Sequence, residues 1–320
     1  MDKYYLMYKD TPVISFGNHF EELTILDTAC LPYGLRNRRI ETAISLWLAD
    51  RATPITRDNA EFLYMVLGKS RSPSAQRSTM LEFGGVSVND FFWIKRAEES
   101  VTWAEVSPFI GSFKWSENDR AFGYGMLSGT ASDALRPYRF SPEVTLQGNW
   151  SKCLVRKNDG VYLYKANDGD LREVEISKFG QMLGLDIVKY WAEDYEDVPC
   201  TVCKILSSES YQWITAEEIG EDEASVKYPE QFDTMQTFDY IIANPDRHAK
   251  NWGWVVDCEL NPIKLTPLYD FNFALHSSIS METPDVLDVK LIGRAKSFLD
   301  SHINCPNREL YLSRIEELTK

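Results

Sequence analysis

Asn244-Pro245-Asp246-Arg247-His248-Ala249-Lys250-Asn251, followed nineteen residues later by Asp270-Phe271-Asn272, is the stretch that decides the fold. An Asp and an Asn five positions apart on one loop can serve, respectively, an attacking hydroxyl and a magnesium ion, while a later Asp bridges the metal to the β- and γ-phosphates. Each residue has a plain alternative, since Asp246 could cap a turn, Asn251 could brace a loop and Asp270 could open a tight turn. Their joint occurrence in this order, with an aromatic after Asp270, favours a metal-dependent phosphotransfer site. Asp246 is assigned to orienting or deprotonating the acceptor hydroxyl, and Asn251 and Asp270 to holding Mg2+. His248 either stabilises the transferring group or braces the loop. Lys250 reads as a solvated neighbour.

Working outward, Phe232 to Ile242 reads as a helix feeding into Asn244-Pro245, which the proline should end. Upstream, Cys153-Leu154-Val155-Arg156 and Val161-Tyr162-Leu163-Tyr164 flank Asn158-Asp159-Gly160, a local hairpin signal. This puts Gly148 at the mouth of one strand and Lys165 at the end of its neighbour, so backbone N–H groups and an ammonium can converge on one polyphosphate. Taken alone, Lys165 is an ordinary solvated strand-end lysine; the downstream triad reverses that reading. Gly123-Tyr124-Gly125-Met126-Leu127-Ser128-Gly129 is richer in glycine, but it precedes two prolines and no lysine-bearing strand follows within one hairpin. It reads as a turn cluster.

These residues together resemble a bacterial HipA-family serine/threonine kinase. Asp246-x-His248-x-x-Asn251 is similar to that family's catalytic loop, Pro267-Leu268-Tyr269-Asp270 to its metal-binding segment, Gly148 with Lys152 to its ATP-covering loop, and Lys165 to its strand lysine. The resemblance spans roughly residues 140 to 275. It implies a bilobal, protein-kinase-like α+β fold, with ATP and Mg2+ as cofactors and Gly148, Lys152, Lys165 and a helix glutamate around the nucleotide. Two readings of that glutamate conflict: the family register, counted back from Leu183-Gly184, selects Glu173, whereas the helical stripe places Glu175 nearer the buried face. Glu173 is preferred. HipA kinases carry a self-phosphorylated serine just before the loop glycine. Here the match is imperfect: a hydroxyl survives as Thr145, Ser151 is a nearby alternative, and an unmodified strand-end threonine is the plain reading. Asn272 departs from the Gly of conventional D-F-G segments. The D-R-H-x-x-N wording is also similar to phosphatidylinositol kinases, so the substrate class does not follow from the loop.

Composition bounds the alternatives. At 320 residues with 44% hydrophobic and 13% aromatic content, the chain can build sizeable cores. Lys+Arg 34 against Asp+Glu 48 gives −14, which argues against DNA or an anionic membrane as the main partner. Six cysteines, a start of Met1-Asp2-Lys3-Tyr4 without an apolar targeting stretch, and no run approaching roughly 20 apolar residues point to the cytoplasm. Cys200-Thr201-Val202-Cys203 is a lone C-x-x-C and reads as ordinary thiols.

The N-terminal part reads as a hairpin (Tyr4 to Tyr8, Val13 to Phe16), then a helix marked by Ile40, Ile44, Trp47 and Leu48. A second helix is capped by Asp58 with Glu61 and runs to Gly68. Residues 69–78 read as an exposed loop and 85–96 as strand-rich. Residues 171–185 form a helix with Ile176, Phe179 and Leu183 on one stripe, and Ile205 to Ile214 a strand and hinge. Expected domains are an N-terminal α+β subdomain (1–136), a small kinase lobe with the ATP loop (137–215) and a helical catalytic lobe (216–320), with the first boundary near Arg136-Pro137 and Ser141-Pro142. The leading function is ATP-dependent phosphorylation of Ser or Thr on an unidentified protein, with a small antitoxin-like partner. A small-molecule or lipid kinase and a nucleotide-binding pseudokinase are the alternatives.

Overall fold

A computed structural model describes residues 3–110, 117–130, 138–276 and 281–320. Arg136-Pro137 lies outside these. Among the described residues the fold is α+β, with eleven α-helices and eleven strands in three sheets. The chain divides into two compact units, one of residues 1–168, 193–213 and 256–261, the other of 169–192, 214–255 and 262–320.

The first unit opens on the expected hairpin, β1 (Lys3–Tyr8) and β2 (Thr11–Gly17), to which β3 (Thr24–Ile25) and β4 (Phe92–Arg96) add on either side in the order β3-β2-β1-β4. Of the apolar stretch 85–96, only β4 is a strand; Val86, Val88 and Phe91 are buried as irregular backbone. Helix α1 (Ile40–Arg51) buries Ile40, Ile44, Trp47 and Leu48 as their spacing requires. Helix α2 (Ala60–Val66) starts one residue later than the Asp58 reading, after Asn59 in the left-handed region (φ 59°) and with no side-chain cap. Helix α3 (Pro73–Phe83) replaces much of the expected loop at 69–78. The Ser72 side chain accepts from the Ala75 N–H at 3.2 Å and Pro73 takes the first turn, so a serine and proline that suggested a loop are a helix start.

After the short α4 (Trp103–Val106), the glycine cluster at 123–129 lies in and just beyond helix α5 (Glu117–Ser128), not in a turn. A Cβ on Gly125 would lie 2.2 Å from the Phe62 ring, and one on Gly123 would lie 3.4 Å from Cys153 Sγ. These glycines thin the helix for close packing, which outweighs their cost of about 1 kcal/mol each relative to Ala. The next sheet runs β5 (Lys152–Lys157), β6 (Gly160–Ala166), β8 (Val198–Lys204), β7 (Tyr190–Tyr195), with β5 and β6 the hairpin turned at Asn158-Asp159. Residues 205–210 are not strand. The strand expected there begins at β9 (Tyr211–Thr215), which forms a third sheet with β10 (Gly253–Asp257) and β11 (Pro262–Leu265). All six cysteines are free, and Cys200 and Cys203 are buried.

The second unit is largely helical: α6 (Arg172–Met182), α7 (Ala216–Ile219), α8 (Glu221–Lys227), α9 (Pro229–Ile241), α10 (Val289–Ser301) and α11 (Arg308–Leu318). Phe179 of α6 stacks on Tyr311 of α11 at 4.4 Å and lies near Phe238 of α9 at 6.1 Å. Phe271 is fully buried and meets Phe238 edge-on. Burying such a ring stabilises by about 1.5–3 kcal/mol, which anchors the backbone on either side of it. Among the described residues no helix is long and apolar enough to cross a membrane.

Candidate active site

The predicted residues fall into two sets. Gly148, Lys152 and Lys165 belong to the first unit; Glu173, Asp246, His248, Asn251 and Asp270 belong to the second.

In the first set, Lys152 and Lys165 are direct partners across β5 and β6, so both side chains leave the same face of the sheet. Both are buried. Like charges directly opposite one another are unfavourable unless an anion shares them. Gly148 is in the left-handed region (φ 88°), and a Cβ there would sit 2.7 Å from Lys152 Nζ, which itself donates to the Gln147 carbonyl at 2.6 Å. Residues 51–58 support this loop from below. Gln147 Nε2 donates to the carbonyls of Arg51 (2.9 Å) and Ala52 (3.0 Å), the Asp58 N–H donates to Asn149 O at 2.7 Å, and the buried Arg57 donates to Lys152 O. Thr145 lies in a 3-10 turn rather than at a strand end. Its hydroxyl is buried, 2.8 Å from each of the carbonyls of Val86 and Pro142. Ser151 is buried as well.

In the second set, α9 ends before the proline. Ala243 turns left-handed (φ 49°), its N–H bonds Tyr240 O at 3.1 Å, and the Asn244 N–H bonds Asp239 O at 2.9 Å. That is a Schellman termination, so Pro245 follows the stop and does not cause it. The loop then closes on itself: Asn251 Nδ2 donates to Asp246 O at 3.0 Å and the Asn251 N–H donates to His248 O at 2.8 Å. With its nitrogen so engaged, Asn251 has its amide oxygen to offer a cation. His248 is exposed, and its Nδ1 accepts from the Lys250 N–H at 3.2 Å. Lys250 pairs with Glu217 at the surface.

The nineteen-residue spacing is a hairpin. From Asn251 the chain runs out along β10 and back along β11, with the Thr266 N–H bonding Gly253 O at 2.9 Å, and returns to Asp270. Leu268 is fixed beside Asp186–Val188 by two backbone bonds of 2.8 Å. Asp270 is left-handed (φ 60°), a conformation costing of order 1 kcal/mol, and is held there by its neighbours. Its Oδ1 accepts from Asn272 Nδ2 at 2.7 Å, its N–H meets the Tyr190 hydroxyl at 3.3 Å, and Asn272 O accepts from Arg172 at 2.7 Å. Thus Asn272, where D-F-G segments have Gly, braces the acid. Burial pushes the Asp246 carboxyl above its ordinary range; Asp270 adds to this, and His248 and Arg247 oppose it.

Of the two glutamates, Glu173 is the buried one, and its Oε1 accepts from the Phe271 N–H at 3.3 Å. Glu175 is half-buried and bonds Asn307. The apolar stripe extends back from Ile176 by three residues to Glu173, and the buried face of α6 lies on that side of the stripe rather than on the Glu175 side.

Arg247 was missed. Its side chain is only 6% exposed and forms a two-pronged pair with Asp239 of α9, itself 4% exposed, at 2.8 and 2.9 Å. The remaining prong reaches the carbonyls of Asn251 (2.8 Å) and Tyr269 (2.7 Å). An arginine in a polar loop reads as solvated; the available signal was Asp239, a lone acid on the otherwise apolar end of α9.

The donors fit magnesium. Asn251 and Asp270 are hard oxygen donors, and among the described residues no group of three or more His, Cys, Asp or Glu could form a protein-only cage. Mg2+ commonly takes one or two protein oxygens and completes its shell with water and substrate phosphates.

Residues 145–318, more than half of the chain, match the HipA-like C-terminal domain family. The chain belongs to the HipA-like kinase family. The HipA fold extends over nearly all of it: the HipA of Shewanella oneidensis MR-1, solved as a toxin–antitoxin complex with HipB and operator DNA, aligns with 98% of this chain and 88% of its own at 11% identity and a TM-score of 0.55. The Helicobacter pylori proinflammatory kinase CtkA aligns with 52% of this chain and 90% of its own at 14% identity and a TM-score of 0.39. No curated protein matches.

Proposed function

We propose that this HipA-family chain is an ATP- and Mg2+-dependent kinase, bilobal in arrangement, that phosphorylates serine or threonine on a protein. The observation that carries this is the loop Asp246–Asn251 closed on itself, with Asp270 returned by the β10–β11 hairpin. Gly148 leaves room for phosphate against the loop backbone, and Lys152 and Lys165 supply paired positive charge to it. Asn251 and Asp270 hold Mg2+, whose contribution is to offset charge on the transferring group. Asp246 orients the acceptor hydroxyl and takes its proton, and the burial that raises its pKa makes it a stronger base than a solvated carboxylate. His248, being exposed, is free to meet substrate. Glu173, buried on α6, is the helix glutamate of the nucleotide site.

An antitoxin-like protein is the proposed partner, by analogy with the HipB of the Shewanella complex. Because that complex also contains operator DNA, the exclusion of nucleic acid drawn from net charge is not carried forward. Self-phosphorylation at Thr145 or Ser151 would require the buried hydroxyl to unpack first.

The test is transfer of label from γ-labelled ATP to proteins of a host lysate by wild type, Asp246→Ala and Asp270→Asn. Protein labelling by wild type alone supports the reading. Labelling confined to lipid or small molecules would transfer it to the alternative class, and no Mg-ATP thermal shift in wild type would end it; saturation at a hundred times Kd should give about 2.7 kcal/mol of stabilisation.

A further inference from the structure

We propose that Arg247 is a positioning residue that fixes the separation of the two cation-holding side chains. This rests on the assignment of Asn251 and Asp270 to magnesium. A guanidinium has five N–H donors in a rigid plane. Here Nε and Nη2 grip the two oxygens of Asp239, and Nη1 places bonds of 2.8 and 2.7 Å on the carbonyls of Asn251 and Tyr269. The first of these carbonyls belongs to one cation-holding residue, and the second immediately precedes the other.

Asp239 is fixed in its turn. It sits near the end of α9, and Asn244 Nδ2 donates to its Oδ1 at 2.8 Å. The Tyr269 hydroxyl closes the frame by donating to Lys250 O at 3.0 Å. The catalytic loop and the strand returning from the hairpin are therefore referenced to one buried ion pair on one helix. Neither carbonyl can shift without breaking a charge-assisted bond inside a dry site. A lysine could keep the charge opposite Asp239, but a single ammonium cannot grip a carboxylate with two parallel bonds and also span two carbonyls.

The experiment measures metal binding apart from turnover. Mg2+ is titrated calorimetrically into protein saturated with a non-hydrolysable ATP analogue, and analogue affinity is measured separately in EDTA. Arg247→Lys is expected to weaken Mg2+ binding about 10–100-fold, the usual effect of removing a residue that orients a metal ligand, with analogue affinity in EDTA unchanged. Asp239→Asn, which keeps the guanidinium but weakens its anchor, should shift Mg2+ affinity in the same direction and serves if Arg247→Lys does not fold. Phe16→Leu, which removes a buried ring stack in the β1–β2 hairpin of the first unit, reports the effect of destabilisation alone and should leave Mg2+ affinity as in wild type. Wild-type Mg2+ affinity in both Arg247→Lys and Asp239→Asn, or equal losses in Phe16→Leu, would overturn the proposal. Unchanged Mg2+ binding in Asp270→Asn would instead remove the metal assignment on which it stands.

Discussion

The loop at Gly148 is supported by bonds to backbone carbonyls spread over Gln147, the Asp58 N–H and the buried Arg57, whereas the loop at Asp246 is referenced to one buried ion pair, Arg247 with Asp239. The first arrangement is redundant: each neutral bond contributes about 0.5–1.5 kcal/mol net, and water can replace much of what is lost in a half-exposed loop. The second is brittle, since removing either charge strands the other in a dry interior at a cost of about 3–5 kcal/mol. Under the proposed function, the first loop admits and releases a nucleotide and tolerates redundancy, whereas the second holds a proton acceptor and a metal ligand in register and requires rigidity.

The comparison can be broken in four places. The largest effect is expected for Asp246→Ala, which should lower phosphotransfer by about 10²–10⁴-fold while keeping the Mg-ATP thermal shift; wild-type turnover would remove Asp246 from the chemistry. Next, Asp239→Ala should cost about 3–5 kcal/mol in urea denaturation, and a loss near 1 kcal/mol would show that the ion pair is no clamp. Gly148→Ala adds a Cβ where φ is 88° and Lys152 Nζ would lie 2.7 Å away. Because the nucleotide-free, half-exposed loop can relax out of the left-handed conformation and must regain it to hold ATP, the roughly 1–2 kcal/mol of strain should weaken ATP binding by about tenfold, with overall stability little changed. The smallest effect, about 1 kcal/mol or less, is expected for Gln147→Ala. If that substitution cost as much as Asp239→Ala, the contrast between redundant and brittle support would collapse.

Part of the fold was legible because short-range rules govern it. The β1–β2 and β5–β6 hairpins, the buried faces of α1 and α6, and the helix entering the catalytic loop all follow from periodicity and turn residues that act within a few positions. The misreadings share a cause. By residue type Ser72-Pro73 and Gly123 to Gly129 read as breakers, but Ser72 caps α3, and α5 uses its glycines for proximity to Phe62 and Cys153. A sequence shows a small or polar residue; whether it interrupts a helix or serves one depends on what lies against it.

The same division holds at the site. The sequence by itself determined the inventory on which the proposed function rests, Asp246, Asn251 and Asp270 in order with two lysines and a loop glycine upstream, because phosphotransfer restricts which side chains can face a hydroxyl, a metal and a polyphosphate. Only the tertiary structure decided that Glu173 rather than Glu175 is buried, that Thr145 is enclosed, and that Arg247 ties the loop to Tyr269. Those facts depend on partners 8 to 98 residues away, Asp239 and Tyr269 for Arg247, Val86 for Thr145 and Phe271 for Glu173. Burial and pairing at such separations are set by how elements pack, and local signals such as the α6 stripe or the acid at Asp239 do not name the partner.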